Sequence, residues 1–192
     1  GFYEDTFKDG LQHGLGTYSL PNGYEYSGEW IMGEILGQGR AQFPDGAVYE
    51  GAFSKGKPEG IGKITYSDAS TYEGSWEDGV PQGIGISINA DESRYEGAFR
   101  GGKQHGKGIL RHADGYVYKG DWVNGIKEGA ATIAYADGSE YHGQVQAGQR
   151  EGIGVFALSD GMILDGPWRN GQLSGVGKVI QPNGDLYEGE LV

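Results

Sequence analysis

The chain has 192 residues, 39 of them glycine, and a formal net charge of −12 from 15 basic and 27 acidic side chains. That acidity argues against nucleic acid, whose binders carry a basic face; six prolines are too few for collagen, and the lack of cysteine removes disulfides and thiolate metal sites. No apolar run approaches the ~20 residues of a membrane-spanning helix, and 13 Tyr, 4 Trp and 6 Phe speak against disorder.

From Tyr3 the sequence divides into eight units of 23 residues without insertion or deletion, ending at residue 186, and a partial ninth follows at 187–192. Residues 1–192 therefore read as one array, with unit three, YEGAFSKGKPEGIGKITYSDAST at 49–71, as its pattern. Column one of the units holds tyrosine in all but Leu164, and column five holds Trp, Phe, Val145 or Leu191. Five columns (three, eight, twelve, fourteen and twenty-one) hold every glycine except Gly1 and Gly101. Disorder gives no reason for such registration.

Each unit is expected to open with a strand over columns one to five, where Tyr, polar, Gly, polar, Trp/Phe alternate with the two-residue period of a sheet. A turn bounded by the glycines of columns eight and twelve follows, then a second strand over columns twelve to eighteen, such as Gly60, Gly62, Ile64 and Tyr66 on one face. A second turn closes the unit: Pro21-Asn22-Gly23, Pro44-Asp45-Gly46 and Pro182-Asn183-Gly184 show its chemistry, and column twenty is always Asp or Asn. Proline pre-sets the first position, Asp or Asn suits the second and glycine accepts positive φ at the third, as in a three-residue hairpin loop ending in a bulge.

This loop length pairs column eighteen with twenty-two and column sixteen with the next tyrosine. Within the unit, column five is expected opposite column fourteen, so that each Trp or Phe lies over a glycine and glycine three faces a residue such as Ile64 or Ile133. The fold class is all-β: seventeen strands in an elongated, single-layer, twisted antiparallel ribbon about 80 Å long at ~4.8 Å per strand. No capping element is visible, so both ends are expected to continue in a longer protein or to meet a partner. The start at Gly1, without Met, reads as a trimmed or processed form; targeting is out of view and a cytoplasmic location is the expectation.

The motif Tyr72-Glu73-Gly74-Ser75-Trp76 leading to Gly79, Gly83 and Gly85 resembles the MORN (membrane occupation and recognition nexus) repeat, and the resemblance covers residues 3–192. It implies an antiparallel ribbon of hairpins with a binding or scaffolding role. Asp5, Leu164-Asp165, Val145 and Glu92 depart from the pattern. No kinase, SET or membrane-spanning segment accompanies the repeats, so catalytic functions do not carry over.

Three groups of side chains are candidate contact sites. The first is the aromatic face: Tyr26, Trp30, Tyr49, Phe53, Tyr72, Trp76, Tyr95, Phe99, Tyr118, Trp122, Tyr141 and Trp168, which suit a peptide or amphipathic helix of a protein partner. The plainer reading is that these rings form a thin core; both hold together in a one-layer sheet. Ile84, Ile86 and Ile88, with Ile109, lie on the opposite face and suggest a second contact patch or self-association, against a local bulge that turns them inward. Arg100, Lys103, Lys107 and Arg111 form a basic spot for an anion or phospholipid, against a solvated charged face.

His13, His105, His112 and His142 lack a metal spacing. Repeated carboxylates such as Glu50, Glu73, Glu96 and Glu188 recur because the unit does, and Gly-x-Gly pairs lack the helix and lysine of a phosphate loop. No catalytic residue, metal or cofactor is expected. The leading expectation is a non-enzymatic protein-binding scaffold; the alternatives are peripheral membrane association and glycan binding, since Tyr and Trp beside carboxylates also suit sugar rings.

Overall fold

The computed structural model describes residues 1–191, the side chains of Tyr3 and Asp5 excepted; the Tyr3 and Asp5 members of columns one and three, and Val192 of the ninth unit, lie outside the described residues. Among the described residues there is no helix, and eighteen strands form a single antiparallel sheet that stays open. The first arms of the hairpins are Phe2–Lys8, Glu25–Ile31, Val48–Ser54, Thr71–Glu77, Arg94–Arg100, Val117–Val123, Glu140–Gln146 and Ile163–Arg169, with Leu186–Leu191 opening the ninth unit. The second arms are Leu11–Ser19, Glu34–Gln42, Lys57–Thr65, Val80–Ile88, Lys103–Arg111, Ile126–Ala134 and Gln149–Ala157. In the eighth repeat the second arm is broken at Ser174 into Gln172–Leu173 and Gly175–Ile180, which makes eighteen strands of seventeen arms. The chain divides into two compact units, residues 1–92 with 99–102, and residues 93–98 with 103–192.

The turn between repeats is the expected one. Tyr66 N–H donates to Ser70 C=O (2.9 Å), Ala69 N–H to Tyr66 C=O (3.0 Å), and the column-twenty carboxylate of Asp68 accepts from Ser70 N–H (2.9 Å). The same side-chain bond recurs at Asn22, Asp45, Asp114, Asp137, Asp160 and Asn183. Column twenty-one takes positive φ throughout, including Ala69 (69°) and Glu92 (64°) where glycine is missing. Column sixteen opposes the next tyrosine, as Ile64 opposes Tyr72.

The turn inside the repeat differs from expectation. It is a two-residue loop at columns seven and eight, both with positive φ, as at Asp78 (50°) and Gly79 (84°); this is the type I′ geometry that matches strand twist. Column nine therefore already lies in the second arm, and pairing starts there: Ser54 opposes Lys57 and Phe53 opposes Pro58. Column five thus faces column ten of its own hairpin, not column fourteen. A bulge follows, with Ala52 on one arm against Glu59, Gly60 and Ile61 on the other, after which Gly51 opposes Gly62. The two extra residues are an even number, so the faces stay in phase. Glycine twelve ends no turn; it is the bulge residue, with φ of +78° at Gly60, and it faces the Trp or Phe of the following repeat, here Trp76.

The consequence is a line of glycines across the strands. Gly51 opposes Gly62, Gly62 opposes Gly74, and Gly74 opposes Gly85, in place of the expected glycine–isoleucine pairs. The ring that covers this bare backbone is the tyrosine of column one. A Cβ built at Gly85 would sit 2.5 Å from Tyr72 Cε2, and one at Gly74 would sit 2.5 Å from Gly85 Cα. The glycines are required here by close approach, because their backbone is otherwise ordinary strand.

Candidate functional site

The tyrosine ring lies along the glycine line with its hydroxyl donating to the column-four carbonyl: Tyr49 to Ala52 (2.9 Å), Tyr72 to Ser75 (2.8 Å), Tyr118 to Asp121 (2.8 Å) and Tyr141 to Gln144 (2.8 Å). Tyr26, Tyr49 and Tyr72 then each meet the Trp or Phe of their own and of the next repeat, edge to face, while Val145 takes one of these places beside Tyr118 and Tyr141. In the first unit the row runs Trp30, Tyr26, Phe53, Tyr49, Trp76, Tyr72, Phe99 at centroid separations of 4.7–5.7 Å. In the second unit Tyr95, Trp122 and Tyr118 pack at 5.2 Å, and Tyr141 meets Trp168 at 5.6 Å. Such pairs contribute about 0.5–1.5 kcal/mol each beyond area burial. The indoles of Trp76 and Trp168 also donate to Gly62 and Gly154 carbonyls at 3.0 and 2.8 Å.

All twelve rings expected to meet a partner are 0–7% exposed. They are the core of the sheet, and their faces are spent on one another. Burial pushes the phenols of Tyr26, Tyr49, Tyr72 and Tyr95 up to about 12.

What remains open on this face is a second row flanking the first, from columns sixteen, eighteen and twenty-two. In the first unit it comprises Tyr24 and Phe43, 5.9 Å apart, and Tyr66, which is 39% exposed. In the second unit His112, Tyr116, Tyr135 and Phe156 follow one another at 5.1, 5.9 and 5.5 Å. Tyr24, Phe43, Tyr116, Tyr135 and Phe156 are half-buried. Burial raises the phenols of Tyr24, Tyr66, Tyr116 and Tyr135, so each is a protonated donor at neutral pH.

Two cations that the sequence did not single out sit over the second unit's rings. Lys127 Nζ lies 4.6 Å from the Tyr116 centroid and 5.1 Å from that of Tyr118, and donates to Tyr116 Oη at 2.9 Å. The Arg150 guanidinium lies 4.3 Å over Phe156 and 4.6 Å over Trp168, with Nε and Nη2 donating to Gly171 C=O. Burial lowers the Lys127 ammonium from its ordinary range.

On the opposite face, Ile84 and Ile88 are exposed while Ile86, opposite Glu73, and Ile109, opposite Lys119, are half-buried. A regularity the sequence reading missed passes through Ile84: column thirteen also exposes Leu15 and Ile61 in the first unit and Ile153 and Val176 in the second, each 64–69% open. Of the basic spot, Lys107 is paired with Asp121 at 2.7 Å, and Arg100, Lys103 and Arg111 are exposed. His105 Nδ1 accepts from Asn124 N–H at 3.4 Å, in the place where Glu59, Gln82, Glu128 and Glu151 each accept from the turn of the next repeat. Column eleven is thus a turn-capping position. Among the described residues no three His, Asp or Glu gather as a metal site, and no helix is long and apolar enough to cross a membrane.

The family model of the MORN repeat matches the chain eight times, at residues 6–23, 26–48, 49–71, 72–94, 95–115, 118–140, 141–163 and 165–186. No curated protein matches the sequence. Among solved structures, the chain is similar to the TCP domain of Drosophila melanogaster SAS-4 in complex with a proline-rich motif of Ana2, at 18% identity and a TM-score of 0.50 over 81% of this chain and 85% of that one. The TCP10c domain of Drosophila melanogaster Sas-4 gives 16% identity and a TM-score of 0.44 over 81% and 93%. The TCP10 domain of Danio rerio CPAP, with a peptide of STIL, gives 13% and 0.41 over 94% and 97%. At these identities the likeness is one of fold.

Proposed function

The chain belongs to the MORN repeat family, and we propose that it is a non-catalytic binding module whose ring face receives a peptide segment of a protein partner. The observation that carries this reading is the flanking aromatic row. The inner rings are packed among themselves, whereas Tyr24, Phe43 and Tyr66 of the first unit and His112, Tyr116, Tyr135 and Phe156 of the second keep one side open. An aromatic shelf with phenolic donors on a rigid sheet combines apolar contact area with orientation, at little entropic cost on the protein's side. The neighbour that shares this fold, SAS-4, is seen with a proline-rich motif, and a peptide laid across hairpins suits the present surface equally. An extended segment and the apolar stripe of a helix both fit the description.

The test is selection from a displayed peptide library against the folded chain. Recovered peptides are expected to lose binding to Tyr24→Ala/Phe43→Ala or to Tyr116→Ala/Tyr135→Ala, with circular dichroism confirming the sheet, and to keep it on Ile61→Ser/Ile153→Ser. Ligands indifferent to the aromatic variants but sensitive to the isoleucine pair would place binding on the other face and overturn the reading.

A further inference from the structure

Among the described residues, the two cations on the second unit's ring face have no carboxylate partner. Neither Lys127 nor Arg150 forms an ion pair among the described residues, and they differ in burial from other cations without one, such as the exposed Lys103 and Arg111. Both are half-buried, so each is partly stripped of water yet still reachable. Lys127 has one donor on Tyr116 Oη, and Arg150 has Nε and Nη2 on the Gly171 carbonyl and a side-chain hydrogen bond to Tyr135; of three ammonium and five guanidinium donors, some of each remain for an anion. The neighbouring rings, Tyr116, Tyr135 and Phe156, are the open shelf just described.

Spacing narrows the ligand. Lys127 and Arg150 occupy the same column of successive repeats, 23 residues apart. One repeat is two strands wide, so they recur about 9.6 Å apart along the direction that crosses the strands. A polyproline II helix rises ~3.1 Å per residue with three residues per turn, so positions i and i+3 share a face about 9.3 Å apart. A β-conformation does not do this, since its side chains alternate and i and i+3 point to opposite sides. A polyproline II segment running across the hairpins therefore keeps register with the repeats, one turn to one repeat.

We infer that the second unit's ring face binds an acidic polyproline II segment in which carboxylates three residues apart meet Lys127 and Arg150 while the intervening prolines lie on Tyr116, Tyr135 and Phe156. This rests on the peptide-binding reading above and adds the ligand's conformation, charge and spacing. Aromatic shelves take such preformed helices at low entropic cost, and a carboxylate displaces little water from cations that are already partly dry.

Three labelled probes of equal length test it by fluorescence anisotropy on the whole chain: repeating Glu-Pro-Pro, repeating Gln-Pro-Pro, and an isomer of the first with its glutamates at alternate positions. Glu-Pro-Pro is expected to bind at least tenfold tighter than either of the others, and the advantage is expected to vanish in Lys127→Gln/Arg150→Gln, whose near-ultraviolet circular dichroism should match the parent. Arg150→Lys retains charge but not the planar fork and is expected to recover only part of it. Equal binding of the glutamate and glutamine probes would overturn the acidic recognition, and equal binding of the two glutamate isomers would overturn the register; both leave the peptide-binding reading intact if library ligands still need Tyr116 and Tyr135. Binding to phosphoinositide vesicles that disappears in the double variant, with none of the probes bound, would assign the cations to a lipid headgroup and overturn the inference.

Discussion

Replacing Gly74 by alanine tests the glycine line at its narrowest point. The new Cβ would lie 2.5 Å from Gly85 Cα, 2.6 Å from Ile84 O and 2.8 Å from Tyr72 Oη. Two of these atoms belong to the facing backbone, so no side-chain rotation relieves the contact and the two arms must part. Parting them weakens the ladder bonds on either side, about 1 kcal/mol each, and the Tyr72–Ser75 bond at a similar cost. It also disturbs the Tyr72 contacts to Trp76 (5.3 Å) and Phe99 (4.7 Å), about 0.5–1.5 kcal/mol apiece. Against these losses alanine gains about 0.5–1 kcal/mol over glycine in a strand. The net expectation is a destabilisation of about 3–5 kcal/mol. Gly79→Ala is the control: its Cβ would have nothing closer than 3.9 Å, so only the positive φ of 84° opposes it, at about 1–2 kcal/mol. Urea unfolding followed by tryptophan fluorescence measures both. If Gly74→Ala cost no more than Gly79→Ala, the close-approach argument for columns three and fourteen would be refuted. The native Ala131 in column fourteen of repeat six sets the expected order, since there the facing Gly120 would have its Cβ 2.9 Å from a methyl group and 2.7 Å from the Ala130 carbonyl. Column three is therefore the less tolerant of the two.

Two further expectations follow from the turns and the phenols. Ala69→Gly and Glu92→Gly relieve non-glycine residues held at φ of 69° and 64°, and each should stabilise the fold by about 0.5–1 kcal/mol in the same unfolding assay. Tyr26, Tyr49, Tyr72 and Tyr95 are raised to about 12, chiefly by burial, so the folded chain holds protons that the unfolded chain releases near pH 10. Stability is then fully present below pH 10 and is lost as pH rises towards 12, by about 1.4 kcal/mol per pH unit for each tyrosine. Absorbance at 295 nm should show these four tyrosines ionising together as the sheet unfolds; their ionisation around pH 10 with the sheet intact would contradict their burial.

The sequence disclosed the repeat, the turn between repeats and the pairing of column sixteen with the next tyrosine, because Pro-Asp/Asn-Gly at columns nineteen to twenty-one is local chemistry. It hid the register inside the repeat. The type I′ loop needs positive φ at column seven; Met32, Lys55 and Ala147 there give no sign of it, and the cues on offer were Asp9-Gly10, Asp78-Gly79, Asn124-Gly125 and Asn170-Gly171, with Gly101 beside Gly102. Missing a two-residue loop displaced the partner of column five by four positions, and with it the belief that Trp and Phe, and not tyrosine, lie over the glycines. The aromatic columns were legible as a face, but not how fully the rings would bury one another. That depends on edge-to-face contacts between successive repeats, which the period implies only once the glycine line lets the tyrosines lie down. Lys127 and Arg150 were invisible because their column elsewhere holds Gln12, Ile35, Pro58, Pro81, Gln104 and Leu173, a set without pattern.

The most direct test of a peptide-binding ring face is a map of amide and aromatic resonances during titration with a library-selected peptide. Shifts are expected to concentrate at Tyr24, Phe43 and Tyr66 or at Tyr116, Lys127, Tyr135 and Arg150, with Ile61, Ile84 and Ile153 unmoved. Shifts gathered instead along that exposed column-thirteen stripe, with the ring-face residues silent, would contradict it.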